Sequence, residues 1–127
     1  MLLDTNFLIT CHRGSKDVPK DQARAFLEAQ GEDTPFYISR VAWMEFMAGF
    51  ATSTAASPHL KKFTILEVDN LIWWDASRVV RNLGLRGKKI GAADSIIAAT
   101  ALNYGLPLVS NNTKHFSLVP GLDLRSY

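Results

Sequence analysis

Cysteine is nearly absent from this chain. Cys11 stands alone among 127 residues, so no disulfide can form within it, and a reducing cytoplasm is the expected setting. Cys11 lies in an apolar stretch and reads as a small buried hydrophobe. No run of about 18 apolar residues occurs, which leaves no candidate for a helix across a membrane. The N-terminus, Met-Leu-Leu-Asp, lacks the basic region and apolar run of a secretory leader. Repeats, low-complexity tracts and long linkers are missing too, and the length suits one domain with its own core. Charge of one sign is also lacking: 14 basic and 12 acidic residues leave a formal net charge of +2. So mild a balance permits nucleic-acid binding only if the basic residues cluster.

Short apolar runs alternate with helical stretches. Leu2-Leu3 precedes Asp4. Residues 19–30 place Ala23, Phe26 and Leu27 at helical spacing. Phe36-Tyr37-Ile38 reads as a strand, and Ser39 caps a helix predicted through Phe50. Residues 63–68 are β-rich. Asp69 caps a helix striped by Ile72, Ala76, Val79 and Leu83. Ala92 to Tyr104 is apolar nearly all round, hence central, and Gly105 and Pro107 end it. Leu108-Val109 and residues 122–124 are the remaining strands. This alternation predicts a parallel α/β sheet with helices on both faces, and ligands in such sheets gather beyond the carboxyl ends of the strands.

Three acids invite attention. Asp4 stands where the first strand should end, a position that equally suits a helix N-cap. Trp43, Phe46, Met47 and Phe50 define an apolar stripe, and Glu45 falls roughly opposite its centre, where a solvated surface carboxylate is the simpler reading. Asp94 lies in the first turn of the central helix, favoured there by the helix dipole. Its neighbours Ala92, Ala93, Ser95, Ile96 and Ile97 are so apolar that the charge calls for a partner, and a metal ion is a good one. Spacing alone does not show that the three meet.

Four stretches carry a resemblance. Leu2-Leu3-Asp4-Thr5-Asn6-Phe7-Leu8-Ile9 resembles the opening of PIN domains. Residues 39–46, Ser-Arg-Val-Ala-Trp-Met-Glu-Phe, resemble their second motif, and residues 91–99, Gly-Ala-Ala-Asp-Ser-Ile-Ile-Ala-Ala, their third. Residues 108–116, followed by Val119-Pro120-Gly121-Leu122, resemble the fourth. Order and spacing are similar to the VapC-like toxins of type II toxin–antitoxin pairs, across essentially the whole chain.

The resemblance implies a three-layer α/β/α sandwich around a short-stranded parallel sheet. It implies that Asp4, Glu45 and Asp94 are catalytic and bind Mg²⁺ or Mn²⁺, hard cations suited to carboxylate oxygens. It implies hydrolysis of RNA that leaves a 5′-phosphate and a 3′-hydroxyl, a cognate antitoxin and a homodimer. Many relatives carry a fourth acid near positions 112 or 115, where this chain has Asn112 and His115. Asn112 can lend a neutral oxygen to a metal or cap the helix starting near Thr113. His115 reads as a surface or packing residue. Arg86, Lys88 and Lys89, just ahead of the Asp94 helix, and Lys114 are candidates for flanking phosphates. Thr5, Asn6 and Ser110, inside the first and fourth motifs, are further candidates for substrate contact.

Three alternatives compete. A PIN nuclease of RNA processing or decay would need no antitoxin. A silent PIN fold would only bind RNA or protein. A phospho-acceptor signalling domain would want paired acids early and a lysine after a late strand, and neither is present.

The helices at 43–50 and 73–80 hold more large apolar groups than one small core can take. The surplus predicts an exposed patch for a partner: an isologous second copy, and an antitoxin segment adding an amphipathic helix to a groove.

Overall fold

A computed structural model describes all 127 residues. Five short strands form one wholly parallel sheet: β1 (Leu2–Leu3), β2 (Tyr37–Ser39), β3 (Thr64–Leu66), β4 (Leu108–Val109) and β5 (Leu124–Arg125), in the order β3-β2-β1-β4-β5. Seven helices connect them: α1 (Thr5–Arg13), α2 (Lys20–Ala29), α3 (Arg40–Met47), α4 (Ser53–Ala56), α5 (Asn70–Leu85), α6 (Ala92–Tyr104) and α7 (Thr113–Phe116). A 3-10 turn at Ser57–Leu60 follows α4. From β1 the chain steps outward to β2 and β3, then returns past β1 to β4. Every neighbouring pair is parallel, so each connection must cross over the sheet, giving the expected three-layer sandwich. The strand order reverses direction at β1 and β4, which is where such sheets open a crevice.

Several sequence signals act as read. The Ser39 hydroxyl accepts from the Val41 amide, and the Asp69 carboxylate accepts from the Ile72 amide at 2.9 Å. Gly105 ends α6 in the left-handed region at φ 62°, where a β-carbon would be strained. α6 is as central as its composition implies: every residue from Ser95 to Ala101 is buried. No helix is long and apolar enough to cross a membrane.

Other boundaries shift. α3 stops at Met47 rather than Phe50, because the bonds then tighten to three-residue turns, from the Gly49 amide to the Phe46 carbonyl and from Phe50 to Met47, both 3.1 Å. The strand expected at 122–124 pairs later, at Leu124–Arg125, because Gly121 turns the chain at φ 77°. The apolar surplus divides unequally. Phe46 is buried, and Trp43, Met47 and Phe50 pack against the core, so α3 contributes little to an exposed patch. On α5, Trp73 and Trp74 are 52% and 58% exposed, as expected.

The core spans both faces of the sheet, and its response to truncation follows from burial. Ile97→Ala, at a fully buried position on α6, should cost about 2–5 kcal/mol in urea denaturation. Leu85→Ala, at a side chain that stands in solvent, should change stability by less than about 0.5 kcal/mol.

Candidate functional site

The parallel pairing of β1 with β4 aligns Leu3 with Val109, so the next residues, Asp4 and Ser110, stand side by side at the carboxyl ends of neighbouring strands. The Asp4 amide donates to the Val109 carbonyl at 3.2 Å, and the Ser110 hydroxyl donates to Asp4 Oδ2 at 2.7 Å. Asp4 is the N-cap residue of α1, and the amides of Thr5 and Asn6 favour its charged form, although its carboxylate makes no close cap hydrogen bond. Only 2% of Asp4 is exposed, and no cationic side chain pairs with it.

Burial raises the Asp4 carboxyl from its ordinary value to about 6, opposed by the Ser110 hydroxyl and reinforced by the charge of Asp94. Asp94 therefore lies within electrostatic reach of Asp4. A chain of polar groups also joins them. The Asn112 amide nitrogen donates to Ser110 Oγ at 3.0 Å, and Asn112 Nδ2 lies 3.3 Å from Asp94 Oδ2. His115 Nδ1 sits 3.2 Å from the same Asp94 oxygen. Asn112 makes no side-chain cap on α7. Its amide and the His115 ring, which are 3.3 Å apart, both turn to Asp94. His115 is thus a neighbour of the acid rather than the plain surface or packing residue its sequence context implied.

Glu45 departs from expectation in a different way. The residues of α3 turned fully inward are Ala42 and Phe46. At about 100° per residue, Glu45 lies near the edge of that face, not opposite it. It is partly buried, and its Oε1 accepts from the Thr5 hydroxyl at 2.7 Å. Thr5 follows Asp4 directly, so Glu45 reaches the site through α1.

The three acids do not close into one ready-made cage; no three His, Cys, Asp or Glu side chains converge tightly enough for that. This still fits Mg²⁺, which keeps several waters and takes one or two carboxylates plus substrate oxygens. Asp4 supplies the chemical reason: a desolvated carboxylate beside a second one, with no cation of its own.

The remaining candidates are scattered. Asn6 is exposed and lines a groove of about 420 Å³ with Asn112, next to the acids. Arg86, Lys88 and Lys89 are exposed in the turn between α5 and α6, Lys114 is exposed on α7, and none of the four is in an ion pair. Sequence reading gave Ser110 only as a possible substrate contact, because nothing in a linear pattern shows that β4 pairs with β1.

The family model described as PIN domain matches residues 1–122. A tRNA(fMet)-specific endonuclease VapC of Shigella flexneri is 29% identical over 128 residues, covering 95% of this chain and 92% of that protein. A toxin–antitoxin complex from Klebsiella pneumoniae contains a similar chain, with a TM-score of 0.75, 29% identity and coverage of 95% and 93%. The fold also matches VapBC2 of Rickettsia felis, solved with a promoter DNA fragment, at a TM-score of 0.82 and 22% identity, covering 99% of this chain and 97% of that one.

Burial of Asp4 has a consequence for stability. Its folded pKa, about 6, exceeds the ordinary 3.8, so what Asp4 contributes is fully present below pH 3.8 and is lost as pH rises through 6. By linkage the loss approaches roughly 3 kcal/mol at neutral pH. Asp4→Asn cannot ionise. In EDTA, its stability relative to wild type should therefore rise by that order between pH 4 and pH 7.5, read from urea midpoints at each pH.

Proposed function

The chain belongs to the PIN-domain family, matched over residues 1–122, and from that premise we propose that it is a metal-dependent endoribonuclease, the toxin of a type II toxin–antitoxin pair. The observation that carries this reading is Asp4: a buried carboxylate without a cationic partner, beside Asp94, where the strand order reverses. Asp4 and Asp94 would hold Mg²⁺ or Mn²⁺, with Glu45 and the neutral Asn112 serving through the surrounding water. A bound divalent ion supplies activation of water near neutral pH and offsets the charge that builds on the phosphate.

The side chains of the protein do the positioning. Ser110 fixes Asp4 Oδ2, and Thr5 fixes Glu45. Asn112 and His115 both lie against Asp94 Oδ2, which leaves Asp94 Oδ1 for the ion. Asp94 remains 24% exposed, so a phosphodiester can approach it. Attack of water in line with the leaving 3′-oxygen would break that oxygen's bond to phosphorus, the water losing a proton to solvent and the 3′-oxygen gaining one, to give a 5′-phosphate and a 3′-hydroxyl. The Shigella relative is named for cutting tRNA(fMet), which makes tRNA the first substrate to test.

The similar chains from Klebsiella and Rickettsia occur in toxin–antitoxin assemblies, which supports an antitoxin partner for this protein in the cytoplasm. A homodimer is the second assembly we propose. Leu71, Trp73 and Trp74 on α5, with Leu102 and Tyr104 on the adjoining α6, are exposed apolar groups of the kind that mark interfaces.

Asp4→Asn, Glu45→Gln and Asp94→Asn should fold yet lose cleavage of bulk tRNA by about a hundredfold or more, and EDTA should abolish wild-type activity. Wild-type rates in all three variants would place the chemistry elsewhere. Saturating Mg²⁺ or Mn²⁺, at about a hundred times its Kd, should stabilise the wild type by about 3 kcal/mol and Asp94→Asn by much less. Light scattering at high micromolar concentration should give the mass of a dimer, and Trp74→Glu should return a monomer.

A further inference from the structure

Beside Asp94, three polar side chains meet in a small triangle. Asn112 stands at the start of α7 and His115 follows it by about one turn, so both reach the same side. Asn112 Nδ2 is 3.3 Å from Asp94 Oδ2, His115 Nδ1 is 3.2 Å from the same oxygen, and the two nitrogens are 3.3 Å apart. The group is held from behind. Phe116 is fully buried and its amide donates to the Asn112 carbonyl at 3.2 Å, while the Asn112 amide donates to Ser110 Oγ at 3.0 Å. Its other side is open, since the side chains of His115 and Asp94 are 38% and 24% exposed.

Hydrogen bonds alone cannot satisfy this triangle. A carboxylate oxygen only accepts, an amide NH₂ only donates, and an imidazole nitrogen does one or the other. If His115 Nδ1 carries a proton, it faces the Asn112 donor. If it does not, its lone pair faces the carboxylate. Turning the Asn112 amide over sets its oxygen against Asp94 instead. Every assignment leaves one edge of the three with like facing like. All three edges are also longer than the roughly 2.7–2.9 Å of a charge-assisted bond. One arrangement relieves every edge together: with the amide oxygen turned inward and Nδ1 unprotonated, three lone-pair atoms share one face, and a cation seated on that face answers each. The spacing suits a tetrahedral ion with bonds of about 2.0–2.1 Å, whose ligands stand about 3.3–3.4 Å apart. Octahedral Mg²⁺ at a similar bond length wants neighbours about 2.9 Å apart, and oxygens throughout. The third donor is an amide, which agrees with the absence of any converging group of three His, Cys, Asp or Glu side chains.

We propose that Asp94 Oδ2, His115 Nδ1 and the Asn112 amide oxygen form a seat for a borderline transition-metal cation of the Zn²⁺ kind, with water in the fourth position. Imidazole suits such ions, whereas Mg²⁺ prefers carboxylate, carbonyl and water. Three protein ligands and one open place are a common arrangement for zinc. The seat is distinct from that of the hydrated Mg²⁺ or Mn²⁺ of the nuclease reading, which takes Asp4 and Asp94 Oδ1. It rests on that reading only in that the two ions share Asp94, one on each oxygen.

The test follows the imidazole nitrogens by NMR in protein labelled with ¹⁵N-histidine, titrated with ZnCl₂ and separately with MgCl₂. The chain has three histidines, His12, His59 and His115, so the spectrum of His115→Ala identifies the signals of the third. Zn²⁺ should shift His115 Nδ1, and Mg²⁺ should leave it in place. His115→Ala and Asn112→Ala should each weaken Zn²⁺ binding, read by competition with a chelator, by at least about 10- to 100-fold, the cost of losing even an outer-shell partner. Mg²⁺ affinity should be unchanged in both. Neither side chain is buried, and thermal melts without metal check the fold. Zn²⁺ that leaves His115 Nδ1 unshifted, or that binds both variants as tightly as the wild type, overturns the proposal. A shift confined to His12 and His59, whose rings meet edge-on with centroids 4.3 Å apart, assigns the ion to that pair and overturns it as well. A wild type that shows the His115 shift yet cuts no RNA with Mg²⁺ or Mn²⁺ overturns the nuclease reading and supports the seat.

Discussion

Asp4 is held between the ends of two parallel strands, out of water and beside another carboxylate, and the architecture of the site follows from how that charge is accommodated. Ionising it in the folded chain is costly, because burial removes its solvent and Asp94 adds like charge. Ser110 returns one hydrogen bond, and no lysine or arginine is near enough to pair. A side chain so placed destabilises the protein near neutral pH unless a cation joins it. The sheet imposes this arrangement: β1 and β4 each end within a residue of the site, and their register sets Asp4 beside Ser110.

The groups around Asp4 divide into those that hold acids in place and those that leave oxygens free. The Thr5 hydroxyl holds Glu45 Oε1 at 2.7 Å. Asn112 and His115 crowd one oxygen of Asp94 without adding negative charge. A site with three acids repels a phosphate backbone less than one with four. It also asks for fewer cations, which suits a single hydrated ion.

Much of the fold is legible in the sequence because it depends on local rules. Ser39 and Asp69 are caps, Gly105 is a left-handed stop, and the apolar run from Ser95 to Ala101 is buried on every side. What eludes local reading depends on pairing between distant segments. Ser110 gains its role only because β4 lies against β1, and His115 only because α7 folds back toward the start of α6. Glu45 lies nearer the buried face than its sequence context implies, because the large side chains of α3 set the apparent stripe whereas the small Ala42 is fully buried. The two tryptophans of α5 illustrate the reverse case: a surplus of apolar bulk could be counted from the sequence, but which helix would expose it depended on how the core filled.

In the proposed reading, the buried Asp4 carboxylate exchanges its proton for a metal ion. Calorimetric titration with Mn²⁺ at pH 6, repeated in buffers of different ionisation enthalpy, counts the protons released on binding. With the Asp4 pKa at about 6, binding should release roughly half a proton at that pH and almost none at pH 8, and Asp4→Asn should show no such release. Tight binding at pH 6 with no proton release, or the same release in Asp4→Asn, would contradict the account.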